Sequence, residues 1–162
     1  MSLGTIALLR RDVELKAELI APCGMHCAVC AAYLARENNL KDKGLSLPGC
    51  AGCRPRGKNC ALLKKRCARL REGQVQFCYE CDDFPCRQLA TLDRRYRTRY
   101  RTSLIENLVF IRGQGVEAFL QKEEDRWRCP DCGGTICCHN GLCYRCGLEK
   151  LQRKKQLYRW EE

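Results

Sequence analysis

Apolar positions along this chain come in short clusters spaced for helices and separated by glycine, proline and cysteine. In residues 12–21, Val13, Leu15, Leu19 and Ile20 make one face of a short amphipathic helix that Pro22 ends. A second helix is expected over residues 31–36. Cys27 and Cys30 would stand at its start, where the helix dipole favours a thiolate. Residues 37–49 are polar, contain Gly44 and Pro48, and read as a loop. Residues 60–70 suit a helix with Leu62, Leu63, Cys67 and Leu70 inward. Ser103 and Glu106 form a capping box that opens a helix carrying Leu104, Ile105, Leu108, Val109 and Ile111, with Gly113 placed to end it. Residues 116–124 predict a further helix with Phe119 and Leu120 inward. These last two helices are the only continuous hydrocarbon core that the pattern predicts, and residues 148–162 are a mixed-charge, helix-compatible tail.

Cysteine changes the picture. It occupies 16 of 162 positions, so a chain with so little contiguous apolar surface must organise itself around sulfur. The N-terminal apolar run, Ile6 to Leu9, is followed at once by Arg10 and Arg11. A secretory signal needs an apolar stretch of about 7–15 residues, and a membrane span needs about 20. The expectation is a cytoplasmic protein with reduced thiols and no membrane contact, in which clustered C-x2-C pairs are metal ligands or redox groups.

The strongest pattern is C-x2-C-x10-C-x2-C, formed by Cys129, Cys132, Cys143 and Cys146, with Gly133 and Gly147 directly after each pair. Zinc takes four soft ligands in a tetrahedron, and two facing knuckles supply them, so these residues predict a zinc ribbon. Cys137, Cys138 and His139 lie in the intervening hairpin as spares. Upstream stand Cys23, Cys27, Cys30, Cys50, Cys53, Cys60, Cys67, Cys78, Cys81 and Cys86. One partition puts Cys27, Cys30, Cys50 and Cys53 on one metal and Cys60, Cys67, Cys78 and Cys81 on another, leaving Cys23 and Cys86 over. A second groups Cys23, Cys27, Cys30 and Cys86. Zinc at two to three sites is the expectation. An iron–sulfur cluster on the N-terminal cysteines is the alternative, because thiolates hold both.

Materials for catalysis are few. The Cys23-x3-Cys27-x2-Cys30 spacing matches the three-cysteine motif of radical S-adenosylmethionine enzymes, but the chain lacks the alternating strands and helices of the barrel they need. There is no phosphate-binding G-x-x-x-x-G-K-[ST] loop and no H-E-x-x-H. His26 and His139 both adjoin cysteines and read as accessory ligands or exposed polar residues. Asp82 and Asp83 read as a solvated turn. No catalytic residue is assigned.

The formal net charge is +11. Ligation deprotonates thiols, so three four-thiolate zinc sites would contribute about −2 each and leave roughly +5. Basicity therefore serves partly to offset thiolate charge. Two basic stretches stand out. Residues 54–71 hold eight basic residues and no acid, and residues 87–101 hold six arginines, Tyr96 and Tyr100 against one acid, Asp93. Arg94, Arg95, Arg97, Arg99 and Arg101 form a basic patch suited to phosphates. The two tyrosines suit stacking on unpaired bases, and a solvated helix face is the competing reading.

Taken together, Cys23-Gly24-x2-Cys27-x2-Cys30, Pro48-Gly49-Cys50-x2-Cys53, Cys60, Cys67 and Cys78-x2-Cys81-x2-Phe84-Pro85-Cys86 resemble a family of small prokaryotic cysteine-rich proteins filed as domain of unknown function 3795. The resemblance covers roughly residues 18–90. It implies a metal-binding bacterial or archaeal cytoplasmic protein and no particular reaction.

The resulting expectation is a small metal-stapled protein, mostly α with short β-knuckles and a C-terminal zinc ribbon. Residues 1–90 form a cysteine-rich metal-binding domain, 91–126 a helical connector, 127–147 the ribbon and 148–162 a tail. The expected function is a non-enzymatic zinc protein that binds another macromolecule, protein or nucleic acid. An iron–sulfur or dithiol electron-transfer protein is the alternative.

Overall fold

The computed structural model describes residues 16–56 and 66–161. Among these residues the architecture is helical. There is no β-strand, only isolated antiparallel bridges at Ile20–His26, Arg128–Thr135 and Ile136–Cys143. The expected β-knuckles thus amount to single bridges. Five helices carry the frame: α1 (Ala31–Glu37), α2 (Arg87–Tyr100), α3 (Leu104–Gln114), α4 (Val116–Trp127) and α5 (Leu148–Arg153). Single helical turns occur at Cys53–Arg56 and Ala68–Arg71, and 3-10 turns at Ala17–Leu19, Cys27–Val29 and Cys78–Glu80. No described helix is long and apolar enough to cross a membrane.

The helix expected over residues 12–21 is reduced, in its described part, to the 3-10 turn Ala17–Leu19. Much of the helix expected over residues 60–70 lies outside the described residues, as do Leu62, Leu63 and Cys60, and the described remainder forms the turn Ala68–Arg71. The basic run becomes α2, which buries Leu89, Leu92, Asp93 and Tyr100 at helical spacing and turns its arginines outward. Arg101 ends α2 in the left-handed region, φ 52°.

The capping at Ser103 forms as expected, its Oγ accepting from the Glu106 N–H at 3.1 Å. Asp93 of α2 completes it from outside. Its Oδ1 accepts from the Ser103 hydroxyl at 2.8 Å and from the Ile105 N–H at 3.0 Å. A carboxylate at a helix N-terminus offsets the unpaired amides and the dipole there. Helix α3 runs through Gly113 and stops at Gly115, which takes φ 89° and returns its N–H to the Ile111 carbonyl.

The hydrocarbon core is larger than α3 and α4 alone. One buried cluster joins Leu19, Ala28, Val29, Leu34 and Leu40 upstream to Leu89 and Leu92 of α2, Leu104 and Leu108 of α3, and Tyr144 and Leu151 near the C-terminus. Each fully buried leucine contributes about 2 kcal/mol relative to exposure. A second cluster packs Phe119 of α4 against Ile20 and Ile111. The upstream segment therefore brings its own apolar side chains to a shared core, where the sequence pattern placed mainly sulfur. Helix α3 seats directly on the Cys23 turn. Asn107 donates to the Gly24 carbonyl at 2.9 Å. Gly24 sits at φ 86°, and a Cβ there would lie 2.5 Å from the Leu104 carbonyl oxygen.

Candidate metal centre

Helix α4 ends at Trp127, and the chain then turns twice through cysteine pairs. The Gly133 N–H closes the first turn onto the Cys129 carbonyl at 2.9 Å, and the Gly147 N–H closes the second onto the Cys143 carbonyl at 2.8 Å. Glycine is required in the second turn, because a Cβ on Gly147 would stand 2.5 Å from the Cys143 carbonyl oxygen. The Ile136–Cys143 bridge holds the two turns face to face. The sulfurs of Cys129, Cys132, Cys143 and Cys146 consequently lie within 4.8 Å of one another. The Cys129–Cys146 and Cys132–Cys143 separations are both 3.5 Å. A tetrahedron with metal–sulfur bonds of about 2.3 Å has edges of roughly 3.8 Å, so the donor set fits a metal ion of zinc size. The Gly134 N–H also donates to the Cys132 sulfur at 3.4 Å, the amide support that bound thiolates take.

Electrostatics at these sulfurs follow from crowding. Burial raises the Cys129 thiol, but hydrogen bonds from the Cys132 and Asp131 backbone and from the Cys146 and Cys132 side chains outweigh it and hold Cys129 below its ordinary value. Burial raises Cys143 and Cys146, reinforced at both by a hydrogen bond with Cys132. Four thiols that cannot all ionise beside one another become a compatible set when a cation supplies the missing charge. Cys137 and Cys138 are fully buried outside this set. Cys137 is pushed up to about 12 by burial, and the Cys138 N–H binds the Val29 carbonyl at 2.9 Å.

The upstream sulfurs fall into two neighbourhoods, although no described group of three or more there meets the spacing of the C-terminal set. In the first, the Cys53 N–H donates to the Cys27 sulfur at 3.3 Å, and the Cys30 thiol is pushed up to about 11 by burial and by the nearby charges of Cys53 and Cys50. This is the grouping Cys27, Cys30, Cys50 and Cys53. In the second, the Cys78 thiol is pushed up to about 12, first by burial and then by Cys23, Cys86, Cys67 and Cys81. Cys23 and Cys86 thus lie near enough to Cys78 to act on its thiol. The 3-10 turns Cys27–Val29 and Cys78–Glu80 give both neighbourhoods the same local device, with the Cys30 N–H on the Cys27 carbonyl and the Cys81 N–H on the Cys78 carbonyl. Cys60 lies outside the described residues.

Two arginines from the acid-free stretch donate to sulfur: Arg56 to Cys50 at 3.3 Å and Arg69 to Cys81 at 3.0 Å. Arg69 also lies 3.9 Å from each of the exposed carboxylates Asp82 and Asp83. The charge imbalance of residues 54–71 was the signal for this role, although it could not say which arginine meets which sulfur. Neither histidine is exposed. His139 accepts the Ala31 N–H on Nδ1 at 3.1 Å, and Tyr100, Tyr158 and Tyr96 stand edge-on around it at centroid distances of 4.5, 5.1 and 5.9 Å. Tyr96 and Tyr100 therefore pack inward against His139.

No curated protein and no solved structure matches the chain. The resemblance carried by the upstream cysteines is supported by a family model: residues 19–91, which include every cysteine from Cys23 to Cys86 and end before the four-cysteine centre, match the family described as Protein of unknown function (DUF3795).

Proposed function

We propose that this is a zinc-binding, non-enzymatic interaction module of the cytoplasm. In this reading Cys129, Cys132, Cys143 and Cys146 hold one structural zinc in a ribbon over residues 127–147. The upstream thiols hold up to two more metal ions, one among Cys27, Cys30, Cys50 and Cys53 and one among Cys23, Cys67, Cys78, Cys81 and Cys86. The observation that carries the reading is the convergence of four sulfurs within 4.8 Å on two glycine-supported turns. Metal bound there would act on stability, since structural zinc contributes about 10–16 kcal/mol of apparent binding energy in zinc-finger peptides. The exposed arginines of α2 offer a surface for a macromolecular partner, protein or nucleic acid.

An iron–sulfur cluster is the second reading for the Cys78 neighbourhood. Four cysteine thiolates hold such a cluster as readily as they hold zinc, and Cys23, Cys67, Cys81 and Cys86 all act on the Cys78 thiol. Metal and sulfide analysis of anaerobically purified protein decides between the two. A colourless protein with about two to three zinc per chain supports zinc throughout. A brown protein with iron and acid-labile sulfide supports the cluster. A protein that takes up neither metal refutes both.

A further inference from the structure

The C-terminal segment after α5 folds back across the end of α2 and frames an open cavity of about 490 Å³. Thr98, Arg99 and Arg101 line it from α2 and its cap, and Gln156, Tyr158, Arg159, Trp160 and Glu161 from the returning segment. The volume lies in the range of small-molecule sites. Its walls are built from packed groups. The Trp160 indole N–H donates to the Cys138 carbonyl at 2.8 Å, and the Trp160 ring covers Gly141 so closely that a Cβ there would come within 2.5 Å of it. Tyr158 rests on the buried His139. The Arg101 guanidinium lies over the Trp160 ring, 4.4 Å from its centroid, and so presents a fixed cationic plane.

Three arginines line the cavity against one carboxylate, and that carboxylate is engaged: Glu161 pairs with Lys154 at 3.1 Å. Among the described residues Arg99 and Arg159 meet no carboxylate. Like charges gathered around an open cavity without an acid are unfavourable alone and become favourable when an anion arrives. Guanidinium matches a phosphate in a planar, bidentate fashion. The plane of Arg101, backed by Trp160, and the half-exposed ring of Tyr158 suit a flat aromatic group beside that phosphate.

We propose that this cavity binds a phosphate monoester carried on an aromatic ring system, the chemistry of a nucleoside monophosphate or of the phosphorylated end of a single strand. Arg99 and Arg159 take the phosphate, and Arg101 on Trp160 faces the ring. Its lining contains none of the metal-binding cysteines, so it is independent of which metal the centres take.

Calorimetric titration of the full-length, metal-loaded protein tests it with adenosine monophosphate, inorganic phosphate and adenosine. The monophosphate should bind at least about tenfold more tightly than either fragment. Arg99→Gln together with Arg159→Gln should weaken it by at least about tenfold, since two charge-assisted contacts are lost. Both side chains are solvent-exposed, so the fold should persist. Lys41→Gln with Lys43→Gln removes the same charge from exposed residues outside the cavity lining and should leave affinity nearly unchanged. Equal losses in the two double variants would reduce the effect to general electrostatics and overturn the proposal. So would absent binding, or a monophosphate no tighter than phosphate. A 5′-phosphorylated oligonucleotide distinguishes the source: tighter binding than the mononucleotide identifies a strand end, and equal binding a free nucleotide.

Discussion

The imidazole of His26 lies 3.7 Å from the carboxylate of Glu123, both buried, and neither ring nitrogen has a hydrogen-bond partner among the described residues. Glu123 accepts the Trp127 indole N–H at 2.9 Å, and the Trp127 carbonyl accepts from Ile136 at 2.8 Å, inside the four-cysteine unit. His26 precedes Cys27, so this contact joins an upstream sulfur turn to the helix that leads into the C-terminal centre. Glu123→Ala should destabilise the protein by about 3 kcal/mol, because it strands the buried Trp127 indole donor and leaves a cavity beside His26. Glu123→Gln, which keeps an acceptor, should cost less. Urea unfolding followed by tryptophan fluorescence measures the difference, and equal costs would show that the polar contacts contribute little.

Cys129→Ser with Cys143→Ser should remove one metal per chain and loosen residues 127–147. Hydrogen exchange should quicken at Cys138, whose N–H reaches the Val29 carbonyl, while α2 and α3 stay protected. An unchanged metal count would rule out this donor set.

Chelation should have an uneven effect. A cysteine-rich segment with little contiguous apolar surface, such as residues 18–90, is expected from its sequence to unfold with metal loss. The shared core joins Leu34, Leu89, Leu104 and Leu108 to Cys23 and Cys27, so hydrocarbon contacts remain in it when metal leaves. Circular dichroism should therefore retain most of its helical signal, while limited proteolysis opens the turns around Cys27, Cys53 and Cys78. Complete loss of helix on chelation would mean that the metals carry the core as well.

His139 gives a pH signature. Burial penalises its imidazolium and lowers its pKa to about 4 from the ordinary 6.5. The unfolded chain takes up this proton near pH 6.5 and the folded chain only near pH 4. Stability from the neutral ring is thus complete above about pH 6.5 and declines as pH falls toward 4, by about 3 kcal/mol in all. The His139 ring protons in NMR spectra should not shift between about pH 8 and 5.5. A midpoint near 6.5 would place the ring in solvent.

Tyr96→Ala should act on the fold. Its ring stands 5.1 Å from Tyr100 and 5.9 Å from His139, so truncation should cost about 3 kcal/mol in urea unfolding. Arg97 is likewise engaged, with Asp93 at 3.9 Å and Glu106 at 3.6 Å. If the arginine face of α2 binds nucleic acid, Arg94→Gln with Arg95→Gln should flatten the salt dependence of affinity, since fewer counterions are released. A fluorescence titration at two salt concentrations reads this, and no binding at low salt would eliminate a polyanion partner.

Local information was enough for several elements. Cys129, Cys132, Cys143 and Cys146 lie on two tight turns whose geometry is set by neighbouring glycines, so their spacing alone predicts their meeting. The Ser103 cap and most of the apolar faces of α3 and α4 were legible for the same reason, each depending on residues within a turn or two, but Val109, expected on the α3 apolar face, is exposed and Asn107 is buried in that helix instead. Other features depended on contacts between residues far apart in the chain. Glu123 reads as one more exposed acid on α4, and only the packing of α4 over the Cys23–Cys30 turn places it against His26. The influence of Cys23 and Cys86 on Cys78 required the chain path, because every upstream spacing permits several sulfur sets. Tyr96 and Tyr100 alternate with arginines in a way that suits a nucleic-acid surface, yet helical periodicity turns them together onto His139 while the arginines face solvent. Residue order determined which groups could bind metal. The shared core, which must bury Leu34, Leu89, Leu108 and Leu151 at once, decided which of those groups became neighbours.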